Sequence, residues 1–425
     1  MEQFTQLTIF SIVVVVLARA ASLLGRRFGL SPVTIQLLIG VLLGPSLVDL
    51  LGVPIILGTW GSVSPNPLHG ILKVLAEIGL IQLMFFAGFR MDWGGVRANL
   101  SRILPLGFWS SFLTLVGVAI ATRYFSGRWA EALGLGAMMA ASGFGISALN
   151  LSRMKILESH AASVISGATA LSGLLALLLM IATLTTNYAM MFGGFKAAVA
   201  VSWFLGKLIM FYAIAYFLTS RFLNRVAGPN LRKRPGHVLI GYFLLVAALY
   251  AWAAMHFGSF AAAGVASLGG ILLGRSTFEG KEKIAGESES TVTSIPIGIL
   301  FIVLGMEVNF REAGVNIIFL IILLGTVTAS KMMGGWTGTR KGFGSPRERA
   351  LDLLGILPQS EMGMLIAAYL FSRGVVNPSQ FNMAIIVMVT LTMLSPILMK
   401  VALPDLGKKE VSVAPSFTGG ELRKG

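Results

Sequence analysis

Apolar runs of about 17–25 residues recur along nearly the whole chain, and short stretches containing Lys, Arg, Gly or Pro separate them. Each run is long enough to cross a bilayer as an α-helix, which satisfies its own backbone hydrogen bonds in lipid. Divided at the polar stretches, the pattern predicts about thirteen spans. Their centres lie near Val14, Leu38, Gln82, Leu113, Met139, Leu171, Leu208, Val246, Ser267, Phe301, Ile322, Met364 and Thr390. The predicted fold class is an all-α polytopic membrane protein.

The composition agrees with this prediction. The 425 residues are 55% hydrophobic and 12% charged, with a mean hydropathy of +0.82. A soluble domain carries about a quarter charged residues. Beyond the single membrane domain, we expect only a polar loop at Phe278–Thr293 and a cytoplasmic tail over residues 403–425. The chain has no cysteine, phosphate loop, nucleophile–base pair or metal-ligand spacing, so we expect neither an enzyme nor a cofactor.

The net charge of +15 is distributed unequally between the two sides of the predicted membrane domain. With the loops alternated from an outer N-terminus, about 24 Lys and Arg residues fall on one side and about 6 on the other. Cytoplasmic loops are enriched in Lys and Arg, so this bias predicts an outer N-terminus and a cytoplasmic C-terminus. The basic charge therefore reflects topology in a lipid bilayer, and no nucleic-acid partner is expected.

Two predicted spans contain helix-breaking residues well inside their apolar runs. In the first broken span, Trp129–Asn150, two glycines and two serines fall within Ala141–Ser147. In the second broken span, Glu348–Gly374, Pro358 is followed by polar residues. Gly and Pro also kink membrane helices without any function. Paired interruptions in the two halves of a chain, however, are typical of transport sites built from inverted repeats.

Lys331 lies in Val315–Thr337, a run otherwise apolar or weakly polar. A lysine near the centre of a membrane helix costs about 2.5–3.5 kcal/mol on insertion scales, so it is a candidate functional residue. Arg340 follows nine positions later, about 13 Å along a helix. The alternative is that the long side chain reaches the cytoplasmic interface.

Several groups of residues form an ordered set along the chain. They are Gly29–Val33 with Gly40–Ser46, Leu75–Leu80 with Phe85–Gly88, Pro296 with Phe301–Glu307, Lys331, and Pro358–Glu361. The set resembles the monovalent cation/proton antiporter superfamily, in its sodium/proton exchanger and potassium-efflux branch. Lys331 falls where that superfamily keeps a lysine, and Pro358–Glu361 resembles a motif that often reads Pro-Arg-Gly-Glu. The resemblance covers about residues 6–402.

The resemblance implies a sodium/proton antiporter fold, with inverted repeats and two broken helices that cross. It implies a core of about residues 101–187 and 315–402, and an interface part of about residues 6–92 and 195–310. The interface part would form a homodimer, and the core would carry the ion across the membrane by an elevator movement. A bacterial plasma membrane is the expected location.

The chain departs from this superfamily at the ion site. In the superfamily the sixth span carries one or two adjacent acidic residues that bind the cation and the protons. Here the equivalent stretch is Gly167–Leu174, where Ser172 and a neighbour occupy the acidic positions, and no Asp or Glu lies between Glu158 and Glu279. The arginine of the second broken span is replaced by Gln359. Loss of a positive charge partly offsets loss of the acids, so we interpret the two departures as coupled.

The candidate ion-binding residues are those that the breaks and the resemblance bring together. They are Lys331, Glu361, Ser172, Ser142, Gln359 and Thr169. Glu361 is either the counter-ion of Lys331 or a structural carboxylate bound to unwound backbone N–H groups. The hydroxyls either line the site or bond within their own helices, as Ser and Thr often do in membranes.

Three functions remain open from the sequence. The first is a secondary-active antiporter of protons and a small inorganic cation, with an altered ion site. The second is an anion transporter on the same fold, because a lysine and two half-helix N-termini suit chloride, bicarbonate or a small organic anion. The third is a homologue that does not transport, for which Lys331 would be dispensable.

Overall fold

The computed structural model describes residues 15–21, 23–24, 32–47, 67–154, 160–226, 264, 266–272, 291–311, 316–339, 346–359 and 361–402. The predicted tail over residues 403–425 and Ser360 lie outside these ranges. The helices named here are α1 Pro32–Leu43, α2 Pro67–Phe89, α3 Trp93–Ala98, α4 Leu100–Ser126, α5 Trp129–Ala140, α6 Phe144–Arg153, α7 His160–Phe192, α8 Gly194–Val226, α9 Thr291–Met306, α10 Ile317–Thr339, α11 Pro346–Gly355, α12 Glu361–Ser372 and α13 Pro378–Ala402.

Six helical segments in the described ranges are long and apolar enough to cross a membrane. They are Ile71–Phe89, Leu100–Ser126, Trp129–Ser152, Ala161–Asn187, Ile317–Thr339 and Pro378–Ala402. The described ranges therefore confirm a helical, multi-pass architecture. The total of about thirteen spans stays a prediction, since parts of the chain, such as residues 227–263, lie outside the ranges.

Glycines allow the helices that surround the first broken span to pack closely. Helix α4 packs against α5, α7 and α10. A Cβ atom built on Gly338 of α10 would stand 2.7 Å from the backbone nitrogen of Leu106 in α4. Contacts this short exclude any side chain, so α4 and α10 meet backbone to backbone and place Lys331 of α10 beside α5.

A second set of helices packs through the same device. Helix α9 lies against α1 and α2. A Cβ atom on Gly40 of α1 would stand 2.8 Å from the Cα atom of Gly305 in α9, and the reverse substitution meets Gly40 at the same distance. This group of helices contains the described parts of three of the residue groups on which the resemblance rests, and it lies outside the helices that carry the two breaks.

Candidate functional site

Both interruptions expected from the sequence are breaks in helices. Helix α5 ends at Ala140, residues 141–143 have no regular structure, and α6 begins at Phe144. Ala141 has extended backbone angles, with φ −65° and ψ 140°. In the second broken span, α11 ends at Gly355 and α12 begins at Glu361. The prediction of one broken span in each half of the chain is confirmed.

The two breaks cross and hydrogen-bond to each other. The N–H group of Gly143 donates to the carbonyl of Pro358 at 2.7 Å. The Gln359 side-chain amide donates to the Met139 carbonyl at 3.0 Å, and the Ser147 hydroxyl donates to the Gly355 carbonyl at 2.8 Å. The ends of helices leave backbone groups without intrahelical partners. The crossing supplies several of these partners in the protein interior.

Lys331 lies at this crossing and not at the membrane interface. Its side chain is 1% exposed. The ammonium Nζ donates to the carbonyl of Ala141 at 3.0 Å and to the hydroxyl of Ser142 at 2.6 Å. The alternative that Lys331 reaches the cytoplasmic interface is therefore wrong.

Two neutral oxygens and one helix end stabilise the positive charge of Lys331. Helix α5 ends at Ala140, next to the oxygens that bind the ammonium. A helix C-terminus carries a partial negative charge that attracts cations. Among the residues that the structure describes, no carboxylate forms an ion pair with Lys331. The ammonium thus occupies a small site made of a backbone carbonyl, a hydroxyl and the negative end of a helix dipole.

Ser172 supports the break but is not a direct partner of Lys331. Its hydroxyl accepts the N–H group of Ser142 at 3.0 Å and donates to the carbonyl of Thr169 at 2.9 Å. The Thr169 hydroxyl donates to the carbonyls of Ile165 and Ser166 in its own helix. Ser172 therefore contacts the first broken span, whereas the hydroxyl of Thr169 is directed into α7.

Glu361 stands at two helix N-termini at once. It is the first residue of α12, and its Oε1 accepts the N–H group of Gly145, in the first turn of α6. Helix N-termini carry a partial positive charge, which stabilises a carboxylate. Of the two interpretations of Glu361, this geometry supports the structural carboxylate bound to backbone N–H groups.

Replacement of Glu361 by glutamine is expected to destabilise the protein by about 2 kcal/mol, because a charge-assisted hydrogen bond at a buried helix end becomes a neutral one. The melting temperature of the detergent-solubilised variant measures this loss. Thr390→Val is a suitable control, since within the described residues the Thr390 hydroxyl donates to the carbonyl of Ile386 in its own helix and makes no hydrogen bond to the crossing. If E361Q melts no lower than T390V, Glu361 does not hold the crossing.

Gln359 leaves one oxygen without a donor inside the crossing. The side chain is fully buried. Its amide nitrogen is bonded to Met139, whereas its Oε1 accepts no hydrogen bond from any described residue. An arginine at this position would bring only donors. Compared with the arginine that the resemblance leads us to expect, Gln359 is an uncharged side chain with a buried acceptor. No three His, Asp or Glu side chains within the described ranges converge to hold a metal ion.

Three buried charged residues were missed by the sequence analysis. Arg102 of α4 faces Glu348 and Asp352 of α11, at 3.7 Å and 3.8 Å. Glu131 of α5 is bonded to Arg128 at 2.9 Å and to Gln380 at 2.7 Å. Asp352 had a recognisable signal, since it is the single charge in the apolar stretch 350–357.

Two acidic residues outside the crossing share one lysine. Glu77 and Glu307 both act electrostatically on Lys73 of α2. Lys73 and Glu77 lie four positions apart on this helix, a spacing at which opposite charges attract each other. Arg311, four positions after Glu307, donates from its guanidinium to the carbonyl of Leu47 at 3.0 Å.

Comparison with known proteins decides the family of this fold. The family model for the transmembrane part of sodium/hydrogen exchangers matches residues 12–401. The chain belongs to the sodium/hydrogen exchanger family. Together with the apolar helices, membership makes it a multi-pass integral membrane protein whose relatives are transporters and not enzymes.

Curated relatives and solved structures match over nearly their full lengths. The chain is 23% identical over 398 residues to a Na(+)/H(+) antiporter of Enterococcus hirae, covering 91% of this chain and 95% of the relative. It is 22% identical over 392 residues to the Na(+)/H(+)-K(+) antiporter GerN of Bacillus cereus, covering 92% and 95%. The structure of the sodium proton antiporter MjNhaP1 from Methanocaldococcus jannaschii superposes with a TM-score of 0.66 at 15% identity, covering 96% and 99%. The predicted antiporter fold is confirmed.

Proposed function

We propose that this exchanger-family protein is a secondary-active sodium/proton antiporter in which Lys331 replaces the missing acidic pair. One observation carries the proposal. At the crossing of the two breaks, the buried ammonium of Lys331 donates hydrogen bonds to the oxygens of Ala141 and Ser142. Membership of the exchanger family and the names of the relatives support sodium and protons as the ions.

The same oxygens are suitable ligands for a sodium ion. Hard cations bind carbonyl, hydroxyl and carboxylate oxygens. The crossing provides the carbonyl of Ala141, the hydroxyl of Ser142 and the unbonded Oε1 of Gln359. The negative end of α5 supplies part of the charge compensation that a carboxylate would otherwise give. We therefore propose that sodium and the Lys331 ammonium alternate at one site.

The exchange conserves charge at the crossing. When the Lys331 ammonium releases its proton, the side chain becomes a neutral amine. A sodium ion then brings one positive charge to the oxygens of Ala141 and Ser142. When sodium leaves, the lysine takes a proton back. Each state carries the same net charge, so one sodium ion is exchanged for one proton and the cycle is electroneutral.

The movement that alternates access is proposed to be of the elevator type. The helices carrying the breaks pack mainly with α4, α7, α10 and α13, and α9 packs with α1 and α2. The two groups meet where α6 contacts α2 and α13 contacts α1. This division supports a core and an interface part. We propose the boundaries given by the resemblance, a homodimer formed through the interface part, and an outer N-terminus with a cytoplasmic C-terminus in a bacterial plasma membrane. The bias of basic residues supports that orientation.

Purified protein in liposomes tests the proposed function. An outward sodium gradient is expected to acidify the lumen, because each sodium ion that leaves is exchanged for a proton. Luminal pH is read with a trapped fluorescent dye, and liposomes without protein are the control. The rate is expected to stay unchanged when the membrane potential is clamped at zero.

Three outcomes would contradict the proposal. A rate that depends on the membrane potential would contradict the one-for-one exchange on Lys331. Flux of chloride or bicarbonate, with no response to sodium or potassium, would indicate an anion transporter. The protein could also elute as a single folded species and produce no ion or proton flux under any gradient. That result would indicate a homologue that does not transport.

A further inference from the structure

Asp352 is a buried carboxylate that the proposed exchange on Lys331 does not use. It lies in the half-helix α11 and is 1% exposed. Its nearest ionic contact is the Arg102 guanidinium, 3.8 Å from Oδ2. Neither of its carboxylate oxygens accepts a hydrogen bond from the described residues. A carboxylate removed from water is costly unless it is both paired and hydrogen-bonded, and Asp352 has only a long pairing.

The charged groups around Asp352 carry an excess negative charge that one bound proton would neutralise. Arg102 also lies 3.7 Å from Oε2 of Glu348, whose side chain is 45% exposed. Two carboxylates therefore share one guanidinium, and the three side chains together carry one net negative charge. Of the two acids, Glu348 keeps its contact with solvent and Asp352 does not. Uptake of a proton by Asp352 makes the group neutral and removes the charge that is most deeply buried.

The position of Asp352 connects this group to the crossing. Helix α11 ends at Gly355, one turn after Asp352, and the Gly355 carbonyl accepts the hydroxyl of Ser147 in α6. Asn150 lies on the same face of α6 as Ser147, three positions later. Asn150 is 3% exposed, and neither atom of its side-chain amide has a hydrogen-bond partner in the described part of the chain. Unbonded polar atoms are rare in protein interiors, and a water molecule beside Asn150 would supply the missing partners.

The charges that surround Asp352 come from few elements. Those that act on it are Arg102 of α4 and Glu348 of its own helix. The other helices beside α11 carry His160 on α7, Lys331 on α10, Lys400 on α13 and Arg153 on α6. Asp352 is thus the acidic group of the described residues that lies between the solvent-exposed Glu348 and the crossing.

We infer that Asp352 is a second proton-exchanging group, which passes protons between the crossing and the membrane surface at the start of α11. The inference rests on the proposed proton exchange at Lys331. Protons move from solvent through the group of Arg102, Glu348 and Asp352, and then along the face of α6 that carries Asn150 and Ser147. Each step is a proton transfer between oxygen or nitrogen atoms and water, with no other bond made or broken.

Asp352→Asn tests this role in liposomes, with transport measured as a function of the pH on the α11 side. The maximal rate is expected to fall about 100-fold, the loss typical of removing a general acid–base group. The midpoint of the pH profile is expected to move by about one unit, while the KM for sodium stays within about a factor of two. Asp352→Glu is expected to restore the pH profile of the wild type.

Two further variants separate proton exchange from a structural ion pair. Glu131→Gln is the matched control, because Glu131 is also a buried half-helix carboxylate beside an arginine but has two hydrogen-bonded partners. Its pH profile is expected to stay that of the wild type. The double variant R102Q/D352N removes both partners of the ion pair and keeps the single net negative charge that the group has in the wild type, now on Glu348. Recovery of rate and pH profile in that variant would overturn the inference, and continued loss would support it.

A spectroscopic measurement remains informative even if the wild type transports nothing. Infrared difference spectra between acidic and alkaline samples are expected to contain a carboxyl C=O band that D352N lacks. Absence of that difference between wild type and D352N would overturn the inference by itself. Failure of the wild type to exchange sodium for protons would overturn the proposed function instead.

Discussion

Lys331→Gln is expected to abolish sodium-dependent proton movement, with a loss of at least about 100-fold, because the group that carries the exchanged proton is gone. The glutamine amide can still donate to an oxygen at the break, so the variant is expected to fold. Lys331→Arg is expected to be equally inactive, since a guanidinium keeps its positive charge and does not release its proton in proteins. Luminal pH and radioactive sodium uptake in liposomes measure both losses.

Lys207→Gln is the matched control for these variants. Lys207 is also a lysine within a long apolar helix, but its side chain is exposed and its Nζ lies 4.9 Å from the centre of the Trp203 ring. The Lys207→Gln variant is therefore expected to transport sodium and protons at the wild-type rate. Activity in Lys331→Arg would show that only a positive charge is needed at the crossing, and the proposed proton exchange would then be wrong.

Gly334→Val is expected to prevent the native packing of α4 against α10. A Cβ atom at this position would meet the backbone carbonyl of Trp109 and stand 2.5 Å from the Cα atom of Ser110. Backbone atoms cannot rotate away as a side chain can, so the helices must separate. Overpacking costs about 1–3 kcal/mol where side chains adjust, and more is expected here. Lys331 is one turn away, so the separation also draws its ammonium from Ala141.

The expected readouts are a melting temperature lowered by several degrees, or no folded protein, and loss of transport. Gly325→Ala is the control on the same helix, because a Cβ atom built on Gly325 meets nothing within 4 Å. Alanine is the better helix former by about 1 kcal/mol, so this variant should be at least as stable as the wild type. Equal melting temperatures for Gly334→Val and the wild type would refute the close contact.

The sequence predicted the parts of the site that are marked by local patterns. Gly, Ser and Pro inside apolar runs located both breaks, and a charge inside a run located Lys331. The partner of Glu361 was left open, because it depends on which N–H groups face the crossing. That property belongs to the relative placement of two spans and has no local signal.

For other residues the sequence left two alternatives open or gave too weak a signal. The hydroxyl of Thr169 could line the site or bond within its own helix, and in the structure it bonds within its own helix. Asp352 was overlooked because a charge near the end of a span is usually exposed. It is buried here since α11 enters the interior as a half-helix instead of ending at the surface.

The crossing has a consequence for how the protein is made. The atoms that meet there are far apart in the chain: Lys331 bonds to a residue 190 positions earlier, and Glu361 to one 216 positions earlier. During synthesis the first broken span therefore enters the membrane while the N–H groups of Gly143 and Gly145 still lack their partners, the Pro358 carbonyl and the Glu361 carboxylate. It must wait for the second half in water, against the translocon or against a chaperone. A chain that stops before Pro358 keeps these N–H groups without their partners in the membrane, where each unsatisfied group costs several kcal/mol.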